Sequence, residues 1–118
     1  MIKLIIAGGR DFLDFSIVEN EFIKRFNDQE NKDVEIISGM ARGADALGVK
    51  LADMYGLKLH RYPAQWDKYG KSAGYRRNAE MGAVATDLLV FWDEESKGTK
   101  HMIDIAVARK LKLHIITY

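Results

Sequence analysis

Five short apolar runs alternate with segments of helical spacing from one end of the chain to the other, and this alternation restricts the possible folds more than any other feature. The runs are "IKLIIA" (Ile2 to Ala7), "VEIIS" (Val34 to Ser38), "LKLHRY" (Leu57 to Tyr62), "DLLVFW" (Asp87 to Trp92) and "LKLHIITY" (Leu111 to Tyr118). Their length and β-branched content are those of buried strands. Between the first two, Phe15, Val18, Phe22 and Phe26 recur every three or four residues and predict a helix with one apolar face, followed by a polar surface turn, "NDQENKD". A second helix is expected to bury Ala44, Leu47, Leu51, Met54 and Tyr55 and to stop at Gly56. A third spans about Ser72 to Ala85. A fourth has Thr99 as its N-cap and Met102, Ile103, Ala106 and Val107 facing inward. Parallel neighbours need a crossover, and crossovers are right-handed. The pattern therefore predicts an α/β, three-layer, Rossmann-like domain: a five-stranded parallel sheet of order 3-2-1-4-5 with helices on both faces.

At 118 residues, 47% of them hydrophobic, the chain fits one domain over residues 1–118 with no internal repeat or linker. Its 18 basic and 17 acidic side chains leave a net charge of +1, so no global field draws it to nucleic acid or to an anionic membrane. Any anion site has to be local. The chain has no cysteine, which removes disulfides and thiolate metal sites and fits a reducing compartment. With neither a signal peptide nor a membrane span in its opening residues, the expected location is cytoplasmic.

In open parallel sheets, ligands bind beyond the carboxyl ends of the strands. Three loops leave those ends: "GGRD" (Gly8 to Asp11), "SGMARGAD" (Ser38 to Asp45) and "DEESKGT" (Asp93 to Thr99). The start of the third helix, "GYRRN" (Gly74 to Asn78), approaches the same rim. Glycines admit backbone amides to an anion, helix N-termini present unpaired N–H groups, and arginine forks match phosphate oxygens. Taken singly, each element also fits a tight turn or a solvated face; their meeting at one end of the sheet favours a phosphate-binding rim. Its candidate residues are Gly8, Gly9, Arg10, Ser38, Gly39, Met40, Arg42, Gly43, Asp45, Arg76, Arg77, Asn78, Ser96, Lys97, Gly98 and Thr99. The irregular stretch "PAQWDKYGKSAG" (Pro63 to Gly74) is either a lid over the site or a surface connection. Trp66 and Trp92 have the chemistry to stack on a base, though Trp92 equally suits a core position.

Other chemistries fit less well. His60, His101 and His114 lack metal-ligand spacing, so no metal is expected, and neither is a cofactor. Asp93, Glu94 and Glu95 are read as solvated loop carboxylates. Neither GxGxxG nor GxxxxGK[ST] occurs, which removes the dinucleotide fingerprint and the ATPase P-loop.

These motifs resemble the SLOG superfamily, named for Smf/DprA and LOG, and within it the small YspA, cpYpsA-related group. "ISGMARGADALGVKLADMYGLKLHRYP" resembles the SGxARGxD segment of DNA-processing protein A, whose Rossmann-like domain binds single-stranded DNA. "GYRRNAEMGAVATDLLVFWDEESKGTKHM" resembles the region of the LOG phosphoribohydrolases in which an R-K-A-x-M helix precedes a strand and a P-G-G-x-G-T-x-x-E loop. On that resemblance Arg77 falls on the motif arginine, Asn78 replaces its lysine, and Ala79, Met81, Gly98 and Thr99 match. The glutamate that serves N-glycosidic cleavage corresponds to Met102, which cannot move a proton, and the P-G-G is missing. Asp104, two residues on, lies about 200° around the helix.

The resemblance implies a binding domain for a nucleotide or nucleotide-derived ligand that senses, sequesters or delivers it, in a prokaryotic, phage or mobile-element setting. Two alternatives stay open. One is a nucleoside monophosphate phosphoribohydrolase in which Asp11, Asp45 or Asp104 replaces the lost glutamate. The other is a DprA-like binder of single-stranded nucleic acid, against which the small net charge argues. No membrane partner is expected; a homo-oligomer is compatible, with strands three and five as edges.

Overall fold

A computed structural model describes residues 1–26 and 33–118. Its elements run β1 (Ile2–Gly8), α1 (Phe15–Phe26), β2 (Val34–Ser38), α2 (Ala44–Tyr55), β3 (Leu59–Arg61), α3 (Trp66–Tyr69), a 3₁₀ turn (Gly70–Ser72), α4 (Ala73–Val84), β4 (Asp87–Trp92), α5 (Lys97–Ala108) and β5 (Lys112–Thr117). The five strands form one parallel sheet of order β3-β2-β1-β4-β5, as the alternation predicts. From β1 the chain builds outward to β2 and β3, then crosses back to lay β4 on the other side of β1. The strand order thus reverses between β1 and β4, where Leu4 to Gly8 pair in register with Asp87 to Phe91.

Side chains alternate across the pleat and divide the core in two. Leu4 and Ile6 of β1 join Ile36, Leu89 and Phe91 under α1 and α2, against Val18, Phe22, Phe26 and Leu51. Ile5 and Ala7 join Ile37, Leu88 and Val90 under α4 and α5, against Met81, Met102, Ile103 and Ala106. A strand apolar on both faces must lie at the centre of a covered sheet, and each fully buried Leu or Ile contributes ~1.5–3 kcal/mol.

Local departures from expectation have local causes. The helical faces are narrower than drawn: Met54 and Val107 are exposed, because each lies at the border of the stripe its helix turns to the sheet. Thr99 is not the N-cap of α5. The helix starts at Lys97 with Ser96 in the cap position, and Thr99 is buried in the first turn, its hydroxyl donating to Ser96 Oγ at 3.1 Å. The strand expected over Leu57 to Tyr62 narrows to Leu59–Arg61, since Leu57 is engaged in ending α2: its amide bonds the Ala52 carbonyl while Gly56 sits left-handed at φ 64°. The stretch Pro63 to Gly74 contains α3 and the 3₁₀ turn rather than irregular chain throughout. The surface turn expected in "NDQENKD" lies, apart from Asp33, outside the described residues.

Candidate functional site

A cleft of about 490 Å³ opens at the carboxyl ends of β1 and β4, where the strand order reverses. One wall is the β1–α1 loop, Gly8 to Asp11. A second is the start of α5 with the preceding loop: Asp93, Ser96, Gly98 and Thr99. The third comes from α3, the 3₁₀ turn and α4: Trp66, Lys71, Gly74, Tyr75, Arg77 and Asn78. Ala41 and Asp45 contribute from the β2–α2 loop, and Met81 and Met102 form the apolar floor.

The β1–α1 and β2–α2 loops are locked together by backbone. The Gly9 carbonyl accepts from the amides of Phe12 at 3.2 Å and Ala44 at 3.1 Å. Gly43 has φ 78°, and a Cβ there would meet the Gly9 carbonyl and the Arg10 backbone, so only glycine fits. Ser38 braces the turn from beneath: its hydroxyl donates to the Asp45 carbonyl at 3.2 Å and accepts the Met40 amide at 3.1 Å. Asp45 Oδ2 accepts the Ala41 amide at 3.3 Å. The C-terminal Tyr118 supports the first loop, its hydroxyl donating to Asp11 Oδ1 at 2.8 Å while its ring packs on Phe12.

Asp45 and Arg77 lie on either side of Gly39, where a Cβ would stand 2.8 Å from Asp45 Oδ2 and 2.6 Å from Arg77 Nη1. They are not an ion pair; the three among the described residues are Arg25–Glu21, His60–Glu35 and Lys100–Asp104. Burial pushes the Asp45 carboxyl up to about 6, against the pull of Arg77 and the Ala41 amide. Burial also draws the Arg77 guanidinium down, opposed by Asp45 and reinforced by Arg10. Desolvation thus outweighs mutual attraction at both groups, and Arg77 remains an incompletely compensated cation. Its Nη1 donates to the Gly39 carbonyl and its Nε to Asn78 Oδ1 at 3.0 Å, which fixes the guanidinium between the loops. Asn78, itself buried, reaches from α4 to α5 through the Gly98 carbonyl and His101. The Tyr75 ring packs against His101 at a tilt of 32°, with centroids 4.2 Å apart.

The N-terminus of α5 faces the cleft without a side-chain cap. Asp93 Oδ1 instead accepts the Glu95 and Ser96 amides, at 2.9 and 2.8 Å, and the Ser96 bond holds its carboxyl below the usual range. The α2 N-terminus is less open, since the Ala44 amide already bonds Gly9.

A second cavity of about 320 Å³ adjoins the first and shares Arg10, Ala41, Trp66 and Arg77 with it; Gly39, Met40, Arg42, Pro63 and Ala64 complete it. Of the candidate residues, Gly8, Gly9, Arg10, Asp45, Arg77, Asn78, Ser96, Gly98 and Thr99 line the main cleft, whereas Gly39, Met40 and Arg42 line the second. Ser38 and Gly43 lie behind the wall. Arg76, Lys97 and Asp104 line neither cavity. Arg76 turns outward, with Nε on Ser72 Oγ and its guanidinium over the Tyr69 ring; Lys97 is exposed at the helix start; and Asp104 pairs with Lys100 at 2.8 Å on the outer face of α5. The sequence reading did not single out Lys71 or Tyr75 as site residues, although both lie in stretches it marked, Lys71 in "PAQWDKYGKSAG" and Tyr75 in "GYRRN"; spacing gave no sign of which side chains there turn inward. Asp93, read as a solvated carboxylate, organises the α5 entry and borders the cleft.

Residues 2–69, more than half of the chain, fit the profile of the YspA, cpYpsA-related SLOG family. The chain belongs to that family. The matched segment carries the two glycine-arginine loops and Trp66; Arg77 and the α5 entry lie beyond it. The chain is also similar to Gene 61 protein of Mycobacterium phage D29, at 29% identity over 128 residues, covering 100% of this chain and 97% of that relative.

Proposed function

We propose that the protein binds a nucleotide or nucleotide-derived ligand in the cleft and does not cleave it. The observation that supports this most is the grouping of Arg10, Lys71 and Arg77, none in an ion pair among the described residues, with an uncapped helix N-terminus around one concavity. A phosphate satisfies both features at once, because a half-buried guanidinium only partly compensated by Asp45 gains from an anion. Trp66 and Tyr75, each about half exposed at the rim, offer faces on which a base stacks. Asp11 and Asp93 offer acceptors for ribose hydroxyls.

Membership of the family agrees with a nucleotide-related ligand. The position that carries the catalytic glutamate in LOG-like enzymes is Met102 here, buried in the cleft floor where no thioether can transfer a proton. Asp104 is turned away. One observation favours the alternative, a phosphoribohydrolase: Asp45 borders the cleft with its carboxyl at about 6, the kind of perturbation that general acids show. Its engagement with the Ala41 amide accounts for its presence as a loop fastener.

Mass spectrometry of small molecules released from the purified, denatured protein is expected to find a nucleotide or nucleotide conjugate. Arg77→Ala should weaken binding of that compound about tenfold or more with the fold retained, as read by calorimetry. Unchanged affinity would remove the phosphate role of Arg77. Release of free base and ribose 5-phosphate from a nucleotide panel, lost in Asp45→Asn, would replace binding with hydrolysis.

A further inference from the structure

The two edges of the sheet are built differently. At one, β3 is only Leu59–Arg61, and the Tyr62 amide points inward to the Ser38 carbonyl, so the outward backbone positions are Leu59, Arg61 and then Pro63. A charged side chain and a residue with no amide to donate blunt that edge. At the other, β5 carries no such device. It keeps register with β4 from Lys112 to Thr117 without proline, glycine or bulge. The amides of Lys112 and Tyr118 point inward to the Thr86 and Trp92 carbonyls, at 3.1 and 3.2 Å. Alternation then turns the amides and carbonyls of Leu113, Ile115 and Thr117 away from the sheet. Leu113 packs under α5, and Ile115, two residues on and so on the same face, is 41% exposed. Val107 overhangs the same edge: Ile105 packs on Gly82 of α4, and Val107, about 200° further round α5, occupies the opposite flank, 63% exposed.

We infer that two copies of this chain join antiparallel through β5 into one continuous sheet, about a twofold axis at Ile115. A twofold normal to the sheet keeps both α5 helices on one face, so each residue opposes one of its own parity. Ile115 opposite Ile115 sets Leu113 opposite Thr117 of the second copy and uses every outward amide and carbonyl of the strand, in about six hydrogen bonds, two per facing pair. An axis at His114 would instead oppose Thr117 to Leu111, outside the strand, and bring two imidazoles together. Charge also fits the first register. On the α1 face it sets Lys112 opposite Tyr118 of the second copy, a ring 46% exposed whose hydroxyl donates to Asp11, with Asp93 near enough to act on it. The lysine stem covers that ring while its ammonium approaches both carboxylates. On the other face the α5 helices run antiparallel on either side of the axis, each turning Val107 toward it.

Sedimentation equilibrium of the full chain, from low to high micromolar concentration, reads the association, and a species of twice 13.4 kDa is expected. Ile115→Lys sets two ammonium groups together at the axis and should raise the dimer dissociation constant about a hundredfold or more, with circular dichroism unchanged. Should that variant fail to fold, Lys112→Glu, at an exposed position, turns a carboxylate toward Asp11 and Asp93 of the second copy and should weaken the dimer about tenfold. Register has its own readout, because the chain lacks cysteine. On mild oxidation Ile115→Cys should form a cross-linked dimer, whereas Leu113→Cys should not, its two copies standing about 14 Å apart along the strands. A monomer throughout the concentration range, a dimer that survives both charge substitutions, or cross-linking at Leu113→Cys in place of Ile115→Cys would overturn the inference.

Discussion

Folded Asp45 keeps its proton up to about 6 because burial penalises the carboxylate more than Arg77 and the Ala41 amide favour it. In the unfolded chain the same group releases its proton near 3.8, so the folded state binds more protons across that window. Stability should therefore be highest below 3.8 and fall as pH rises through about 6, by up to ~3 kcal/mol from this residue. Asp45→Asn removes the charge and keeps the shape. In urea denaturation of the ligand-free protein it should match wild type at pH 4 and exceed it at pH 7.5; lower stability at pH 7.5 would mean that the carboxylate, not burial, dominates. The neighbouring Gly39 shows why the loop carries a glycine there: a methyl group would press on both Arg77 and Asp45. Sequence spacing placed Gly39, Asp45 and Arg77 at one edge but could not show that they converge, because α4 reaches that edge only through the tertiary fold.

Glycines within helices separate packing from propensity at the scale of elements. Gly48 of α2 lies flat on β1, where a Cβ would come within 2.9 Å of Ile6 Cβ, a rigid branch point rather than a flexible tip. Gly98 in the first turn of α5 has nothing within 4 Å. Alanine ordinarily gains up to about 1 kcal/mol over glycine in a helix. Gly98→Ala should therefore gain about 0.5–1 kcal/mol, whereas Gly48→Ala should lose ~1–2 kcal/mol by lifting α2 from the sheet. Thermal unfolding of the two variants reads the contrast, and shifts of the same sign would contradict the packing shown. Helix existence was legible from the spacing of Phe15, Val18, Phe22 and Phe26, but the width of each buried stripe was not. Met54 and Val107 continue the apolar pattern yet face solvent, since a flat sheet covers only part of a helix circumference.

Across the whole molecule, a net charge of +1 with cations gathered at one cleft sets the salt response. A single nucleotide met by two or three cations releases few counterions, so the slope of log affinity against log salt should have a magnitude of ~1–2. A single strand contacting six or more phosphates would give about 4 or greater. Titrations of a mononucleotide and of a single-stranded oligonucleotide over the same salt series separate the two modes. A steep slope with tight oligonucleotide binding would move the protein to the strand-binding branch of its superfamily. No helix among the described residues is long and apolar enough to cross a membrane.

The parallel sheet, its strand order and the end at which the candidate loops gather were determined by the sequence alone. A βαβ alternation of apolar runs has few right-handed, doubly covered solutions, and those solutions place every β-to-α loop at one edge. What only the tertiary structure decided was which side chains in those loops face inward. Arg76 and Arg77 are adjacent in sequence, yet helical rotation of about 100° per residue sends one over Tyr69 and the other between the β2–α2 loop and Asn78. Lys71 and Tyr75 enter the cleft because α3 and the 3₁₀ turn fold the segment after β3 back over the sheet, a long-range placement that no local spacing encodes.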